Sequence, residues 1–415
     1  MVTFRYWMFF VGLMIMPILS FSQDSTKTKS PTKKERPSKK KKDPNAPKKW
    51  ALNGYLKYLT SVYFLHQPNK AMLQDNLIHN RLNFKYYIND AFTFKADLRT
   101  RVFFGEYTKL QPNYGKTILR SDSLKNGYYD YLSWTLLDER GAVIHSTLDR
   151  LYLQYSKGNW DIRLGRQRIN WGINTIWNPN DIFNTYSFTD FDYEERPGSD
   201  ALRIQYFTGV ASSVEFAVKA FTRWENATAA FLWKTNKWNY DFQVLVGIVA
   251  QDLVLGGGWA GNIKGAGFKG ELSYFYNIAD TSSHRHSFTG TLSFDYLFSK
   301  SKTYFIAGFM YNSNGTTNAG ANELFGYRPS AKNLYPYRYS IFATFSQPIK
   351  EVFSLGLTAI YSPGESHSLF LTPNFGYILN DKWDISLVGQ ISLNKSGVYY
   401  VSPVQVVFLR IKFSF

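Results

Sequence analysis

From about residue 50 onward, apolar and polar side chains alternate one by one, in stretches of roughly ten residues broken by short polar turns. "VQVVFLRIKFSF" places Val407, Leu409, Ile411, Phe413 and Phe415 on one face and Phe408, Arg410, Lys412 and Ser414 on the other. A period of two is the signature of a strand with two unlike faces. The same alternation sets Leu82, Phe84, Tyr86 and Ile88 on one side, and likewise Phe92, Phe94, Ala96, Leu98 and Val102, then Leu151, Leu153 and Tyr155, then Leu202, Ile204 and Tyr206. Turns are predicted at "IND" (88–90), "KGN" (157–159), "TNK" (235–237), "SKSK" (299–302), "QPIKE" (347–351) and "NDK" (380–382). Longer connectors cover 107–144, 171–199, 313–336 and 394–402.

The strands that stand out directly begin near residues 50, 76, 91, 146, 160, 201, 213, 228, 238, 265, 287, 303, 337, 352, 368, 383 and 403. Their number is odd, whereas a barrel whose two ends lie on one side of a membrane needs an even number. The glycine-rich "LVLGGGWAGNIKGAGFKGELSYF" supplies one more strand over 255–261, with a tight turn at 262–264. The expected fold is therefore all-β, a transmembrane antiparallel up-and-down β-barrel of about 18 strands, with about 16 as the alternative. Such a barrel is wide enough for an aqueous channel.

Composition agrees. Aromatics make up 18% of the chain, with 34 Phe, 30 Tyr and 11 Trp, as aromatic belts at two membrane interfaces require. No apolar run after the first 20 or so residues reaches the length of a spanning helix. There is no cysteine, hence no disulfide framework and no thiolate metal site.

A charge on the lipid face near the midplane costs about 2–4 kcal/mol, so charges alternating with apolar residues are expected to face inward. The set expected to line the pore is Arg81, Lys85, Lys95, Arg99, Arg101, Arg150, Arg163 and Arg203, joined by Asp97 and Lys219. Later strands put Ser354, Gly356 and Thr358 inward, so the wall is expected to be electrically lopsided. In "GRQR", Arg166 and Arg168 share the parity of Ile162 and Leu164. Either a bulge near Gly165 turns them inward or they stand at the rim of the pore mouth; both readings place them in the pore-lining set. The loop 171–199 carries Asp181, Asp190, Asp192, Glu194 and Glu195, with Arg196. Folded inward as a constriction, Asp190, Asp192, Glu194, Glu195 and Arg196 would face an arginine wall and create a transverse field favouring anions. The plainer alternative is that the acids cap neighbouring arginines and hold the loop down.

Residues 1–22 read as a signal peptide, with Arg5 ahead of a short apolar core interrupted by Pro17. Residues 23–49 read as a Lys/Pro-rich disordered tail facing the periplasm, and residues 50–415 as the barrel. The stretch 24–49 holds 11 Lys/Arg against 3 Asp/Glu, a net +8; without it and Arg5, 36 basic and 28 acidic residues leave another +8. "KKKKDPNAPKKW" resembles the start of an HMG box, but it leads into a strand rather than a helical bundle, so no nucleic-acid partner is expected. The tail's candidate partners are the cell wall, anionic lipid or another protein. The wall's partners are outer-membrane lipid and lipopolysaccharide.

The segments "RLGRQRINWG", "WNPNDIFN" and "ERPGSDALRIQYF" resemble those of 18-stranded Gram-negative porins, the alginate-export porins and their Bacteroidota relatives. That resemblance implies diffusion of small, often anionic, solutes. The aromatic alternation ending in Phe413 and Phe415 resembles the signal read by the barrel-assembly machinery. An accessory barrel in a larger outer-membrane complex is the alternative function, and an outer-membrane hydrolase a third. The six histidines form no evident nucleophile–base arrangement, and only His284 and His286 cluster. "NPND" (178–181) reads as a proline turn before a calcium site. No catalytic residue, metal ligand or cofactor is expected.

Overall fold

The computed structural model describes residues 48–66, 70–119, 131–185, 195–196, 198–221, 223–279, 285–320, 324 and 327–415. Residues 1–47, where the signal peptide and most of the tail were expected, together with Asp190, Asp192, Glu194 and His284, lie outside the described residues.

Alternation becomes strand nearly everywhere. The strands are β1 (Trp50–Leu65), β2 (Ala71–Tyr87), β3 (Phe92–Gly105), β4 (Ser133–Glu139), β5 (Ala142–Lys157), β6 (Trp160–Gln167), β7 (Ser199–Gly209), β8 (Ser212–Lys219), β9 (Thr228–Lys237) and β10 (Tyr240–Val249). They continue as β11 (Asp252–Ile263), β12 (Ala266–Asn277), β13 (His286–Phe298), β14 (Thr303–Asn312), β15 (Tyr339–Ile349), β16 (Phe353–Ser362), β17 (Ser368–Asn380), β18 (Trp383–Ser396) and β19 (Tyr399–Ser414). Apart from β4, each pairs antiparallel with its neighbours, and β19 returns to β1 from Tyr55↔Ser414 to Leu65↔Val404, closing the sheet. Gly54 and Phe415 extend the seam with two backbone hydrogen bonds of 2.9 and 3.0 Å.

Strand β4 belongs to the long loop after β3. It pairs with the upper half of β5, from Ser133↔Thr147 to Glu139↔Ala142, whereas β6 pairs only with the lower half, from Leu151↔Arg166 to Lys157↔Trp160. Because β6 stops at Gln167, the polar edge of β5 above it would be bare, and β4 covers it. The result is a closed barrel of 18 staves.

The short turns gather at the end that holds Trp50 and Phe415. Several boundaries differ from the sequence-based expectation; in "QPIKE" residues 347–349 are strand, and the turn falls on 350–352. "TNK" 235–237 is strand, and the turn is Trp238–Asn239, both at positive φ (53° and 61°). The turn expected at 262–264 falls on Lys264–Gly265. The connector expected at 394–402 shrinks to Gly397–Val398, because β18 and β19 pair up to Ser396↔Tyr399. Two-residue hairpins need positive φ, which Gly, Asn and here Lys and Trp adopt.

The outer face is apolar: Leu164, Phe231, Trp233, Val246 and Leu255 are each more than half exposed, a belt suited to lipid and to little else. Rings cluster at the turn end, with Trp160 against Tyr206 (4.8 Å between centroids) and Trp383 against Phe413 (4.9 Å). The buried apolar clusters lie inside the barrel, where loops pack on the inner wall. Ile169, Trp171, Ile182 and Phe183 meet Ala217, Leu232, Leu245 and Phe275, while Ile176 and Trp177 meet Met310, Phe342 and Phe370.

Candidate functional site: the lumen and its inward loop

The segment between β6 and β7 crosses the lumen and is fixed along its whole described length. Trp171 Nε1 donates to Glu215 on β8 (2.6 Å), and its carbonyl accepts from Gln243 on β10 (2.7 Å). Asn180 reaches the Gly257 carbonyl on β11 (2.8 Å), and Asn174 bonds Thr291 and Ser293 on β13 (both 2.6 Å). At the centre stands Glu271 of β12. Its carboxylate accepts the backbone N–H groups of Ile173 (2.5 Å), Asn174 (2.6 Å) and Asn180 (3.0 Å). Three amide donors on one buried acid form a clamp that a neutral side chain could not replace at equal strength. The glycines of β11 fit this picture: a Cβ at Gly256 or Gly258 would stand 2.6 Å from Asn180 Oδ1 or 2.8 Å from Ile173 Cδ1.

"NPND" forms the expected turn, closed by Asp181 N–H to the Asn178 carbonyl (3.1 Å). Asp181 is buried, and burial pushes its carboxyl up to about 7; the Arg196 and Arg168 guanidiniums pull the other way, while Glu271 adds to the rise. Arg196 Nη1 approaches Asp181 Oδ2 at 3.4 Å.

Two further loop stretches enter. Residues 327–338 set Tyr335 against Trp177 (5.3 Å) and Tyr337 Oη on Ser368 (2.7 Å). The helix Glu106–Leu110 and the residues beyond its C-terminus carry Tyr114 and Ile118 onto Leu59, Leu77, Phe103 and Val143.

Between these fillings the inner face of β2, β3, β5, β6 and β7 carries ions. Arg81 bonds Asp149 (2.5 Å) and Asp97 (3.2 Å), Arg99 bonds Asp149 (2.9 Å), and Lys95 bonds Asp97 (3.1 Å). Arg150 meets Glu195 at 3.3 Å, and Arg81 meets it at 4.0 Å. Lower down, Arg163 pairs with Asp161 (3.1 Å), and Arg203 pairs with Glu215 (2.7 Å) and Asp161 (3.6 Å). Arg101 lies over the Phe103 ring and Lys85 over the Tyr87 ring. Arg166 is fully buried on Asp200 (2.7 Å), and Arg168 donates to Asn170 (2.9 Å). The strand registers on both sides of β6 run without a break there. Instead, Gly165 adopts φ +120°, and a Cβ on it would stand 2.3 Å from the Leu151 carbonyl oxygen. A cavity of about 250 Å³ opens on this wall, lined by Arg81, Arg99, Arg101, His79, Tyr114 and Glu195.

Asp97 and Glu195 were among the residues expected from the sequence, but Asp149, Asp161 and Glu215 were missed. Asp161 and Glu215 were within reach, since they share the strand parity of Arg163 and Lys219, already assigned inward. Asp149 was not: it is the extra residue of a bulge where Asp97↔Arg150 gives way to Leu98↔Leu148, so both Asp149 and Arg150 are buried. The wall is consequently a mixed ladder of cations and carboxylates. Of the acidic segment expected to form the constriction, the described residues Glu195 and Arg196 are engaged with Arg150, Arg81 and Asp181. Four of the histidines bond hydroxyls: His79 to Tyr55, His145 to Thr135, His286 to Tyr274 and His367 to Tyr361. Among the described residues no group of three or more His, Asp or Glu converges on a metal-sized space.

A closed barrel of 18 antiparallel strands with an apolar outer belt is the architecture of Gram-negative outer-membrane porins. Particular solved structures share it. OccAB4 of Acinetobacter baumannii superposes with a TM-score of 0.56 over 90% of this chain and 100% of its own, at 8% identity. Pseudomonas aeruginosa OccK11 (OpdR) gives 0.53 over 88% and 96%, at 10% identity, and OpdQ of the same species 0.53 over 89% and 99%, at 8%. The likeness is one of fold. No protein-family model matches the chain, and no curated protein matches its sequence.

Proposed function

We propose that this protein is an outer-membrane channel through which small hydrophilic, chiefly anionic, solutes diffuse past the inward loop and the arginine ladder. The observation that carries the reading is the cavity on the β2–β3 wall. There Arg99 and Arg101 line open space within a closed barrel of porin architecture. Arg81, Arg150 and Arg166 are buried beneath their carboxylates and serve to shape the wall, and Arg99, largely buried on Asp149, reaches the cavity only at its edge; Lys95, Arg101 and Arg163 are the more open cations a solute would meet. An oriented set of guanidiniums in a narrow, partly desolvated passage concentrates anions and orients dipoles. The resemblance to the alginate-export porins supports the same class of solute. In planar bilayers the purified protein should give steady conductance with an anion preference that falls when Arg99, Arg101 and Arg163 are replaced by Gln. A closed, non-conducting barrel would overturn the reading.

One observation favours the accessory-barrel alternative: two apolar clusters, built around Trp171 and Trp177, fill part of the lumen with packed side chains. Stoichiometric copurification of partner proteins together with absent conductance would select it.

A further inference from the structure

The lumen holds a second cavity, of about 410 Å³, that shares no lining residue with the arginine cavity. It opens under the inward loop towards the turn end of the barrel. Ile173 of the loop, Phe207 of β7 and Ala260 of β11 give it apolar walls, and Lys234 of β9 and Asp241 of β10 give it charge. Phe207 faces inward by strand parity, since Leu202, Ile204 and Tyr206 face lipid, yet it is 41% exposed. That exposure leaves part of the aromatic ring open to a molecule in the cavity.

Lys234 differs from most of the ladder cations. Arg81, Arg99, Arg150, Arg163, Arg166, Arg203 and Lys95 each have a carboxylate within 4.0 Å. Lys234, partly buried on the same inner face, has no carboxylate within that distance among the described residues; the acids that act on it from further off are Glu215, itself paired with Arg203, and Asp241. Asp241 is exposed and accepts one hydrogen bond, from Asn236 Nδ2 (2.8 Å). In the β9–β10 ladder Lys234 stands opposite Gln243, and Asn236 opposite Asp241, so Lys234 and Asp241 are diagonal neighbours on one face. Such neighbours lie about 7–8 Å apart at the backbone, and here the two side chains form no ion pair, so both charges are open to the opposite charges of one small molecule.

We infer that this cavity is a binding site for a zwitterionic solute with an apolar side group, of the free α-amino acid type. Lys234 receives the carboxylate, Asp241 the ammonium, and Phe207, Ile173 and Ala260 the side group. The inference rests on the channel reading for its physiological sense, since the site lies along the way out of the lumen, but binding itself does not require conductance.

The test is equilibrium binding to the full chain in detergent micelles by saturation-transfer NMR, with bilayer conductance recorded separately. The probes are L-phenylalanine, its N-acetyl derivative, which lacks the ammonium, and its amide, which lacks the carboxylate. L-Phenylalanine should bind more tightly than either derivative. Lys234→Gln should weaken L-phenylalanine and the N-acetyl derivative about tenfold, the scale of one charge-assisted hydrogen bond, and leave the amide unchanged. Asp241→Asn should weaken L-phenylalanine and the amide and leave the N-acetyl derivative unchanged. Equal binding of the three probes, binding indifferent to both substitutions, or no binding at all would overturn the site. Absent conductance with selective binding intact would overturn the channel reading alone.

Discussion

Asp181 shows how much a single buried carboxyl bears on the loop that narrows the lumen. Its ordinary value is 3.8, and burial in the folded loop lifts it to about 7. Between those two values the folded loop holds a proton that the released loop does not. The folded form therefore binds more protons, and its stability falls as pH rises from about 4 to about 7, then levels off. Protease resistance of the inward loop should increase on acidification across that window, and Asp181→Asn should flatten the dependence. An unchanged slope in the variant would assign the titration to another group. Gly165 makes a second residue-scale prediction. With φ +120° and the Leu151 carbonyl 2.3 Å from where a Cβ would stand, Gly165→Ala should cost about 1–3 kcal/mol and lower the midpoint of thermal unfolding.

The inward loop and its clamp matter most among the elements. Glu271→Ala would strip three backbone amides of their acceptor, a cost of about 1–3 kcal/mol for each amide left buried and unpaired. Single-channel recordings of that variant should show larger and noisier currents, because the loop no longer lies fixed across the bore; currents like those of the parent would mean the loop is held without Glu271. Strand alternation was legible in the sequence because each wall strand has lipid on one side and a lumen on the other, so its polarity has period two. The strand 252–263 could be found despite its glycines because an even stave number was required. Strand β4 was invisible for the opposite reason. "SWTLLDE" lies in a loop away from the continuous wall and is strand only because β6 ends early. The loop's anchors were equally hidden. Asn174, Asn180 and Glu271 meet across about a hundred residues of sequence, and no local pattern marks such a pairing.

For the whole molecule, closure depends on the seam. Gly54 accepts no larger side chain, since a Cβ would stand 2.1 Å from the Arg81 carbonyl oxygen, and its backbone bonds Phe415. Gly54→Val should sharply reduce the fraction of protein recovered as folded barrel in membranes, whereas the same change at Gly209, which has no positive φ and would meet nothing nearer than the Ser212 Cβ at 3.9 Å, should reduce it far less. The charged tail is a separate matter: deleting residues 24–48 should leave barrel folding intact and reduce retention with anionic lipid or cell-wall material. On the channel reading proposed above, selectivity would come from the few cations left open to solute. The measurement that bears most directly on this is the reversal potential of the purified protein in a planar bilayer under a salt gradient. The account predicts steady current with a reversal potential displaced to the anion side, moving toward zero when Arg99, Arg101 and Arg163 are neutralised together; a barrel that conducts nothing, or one displaced to the cation side, would contradict it.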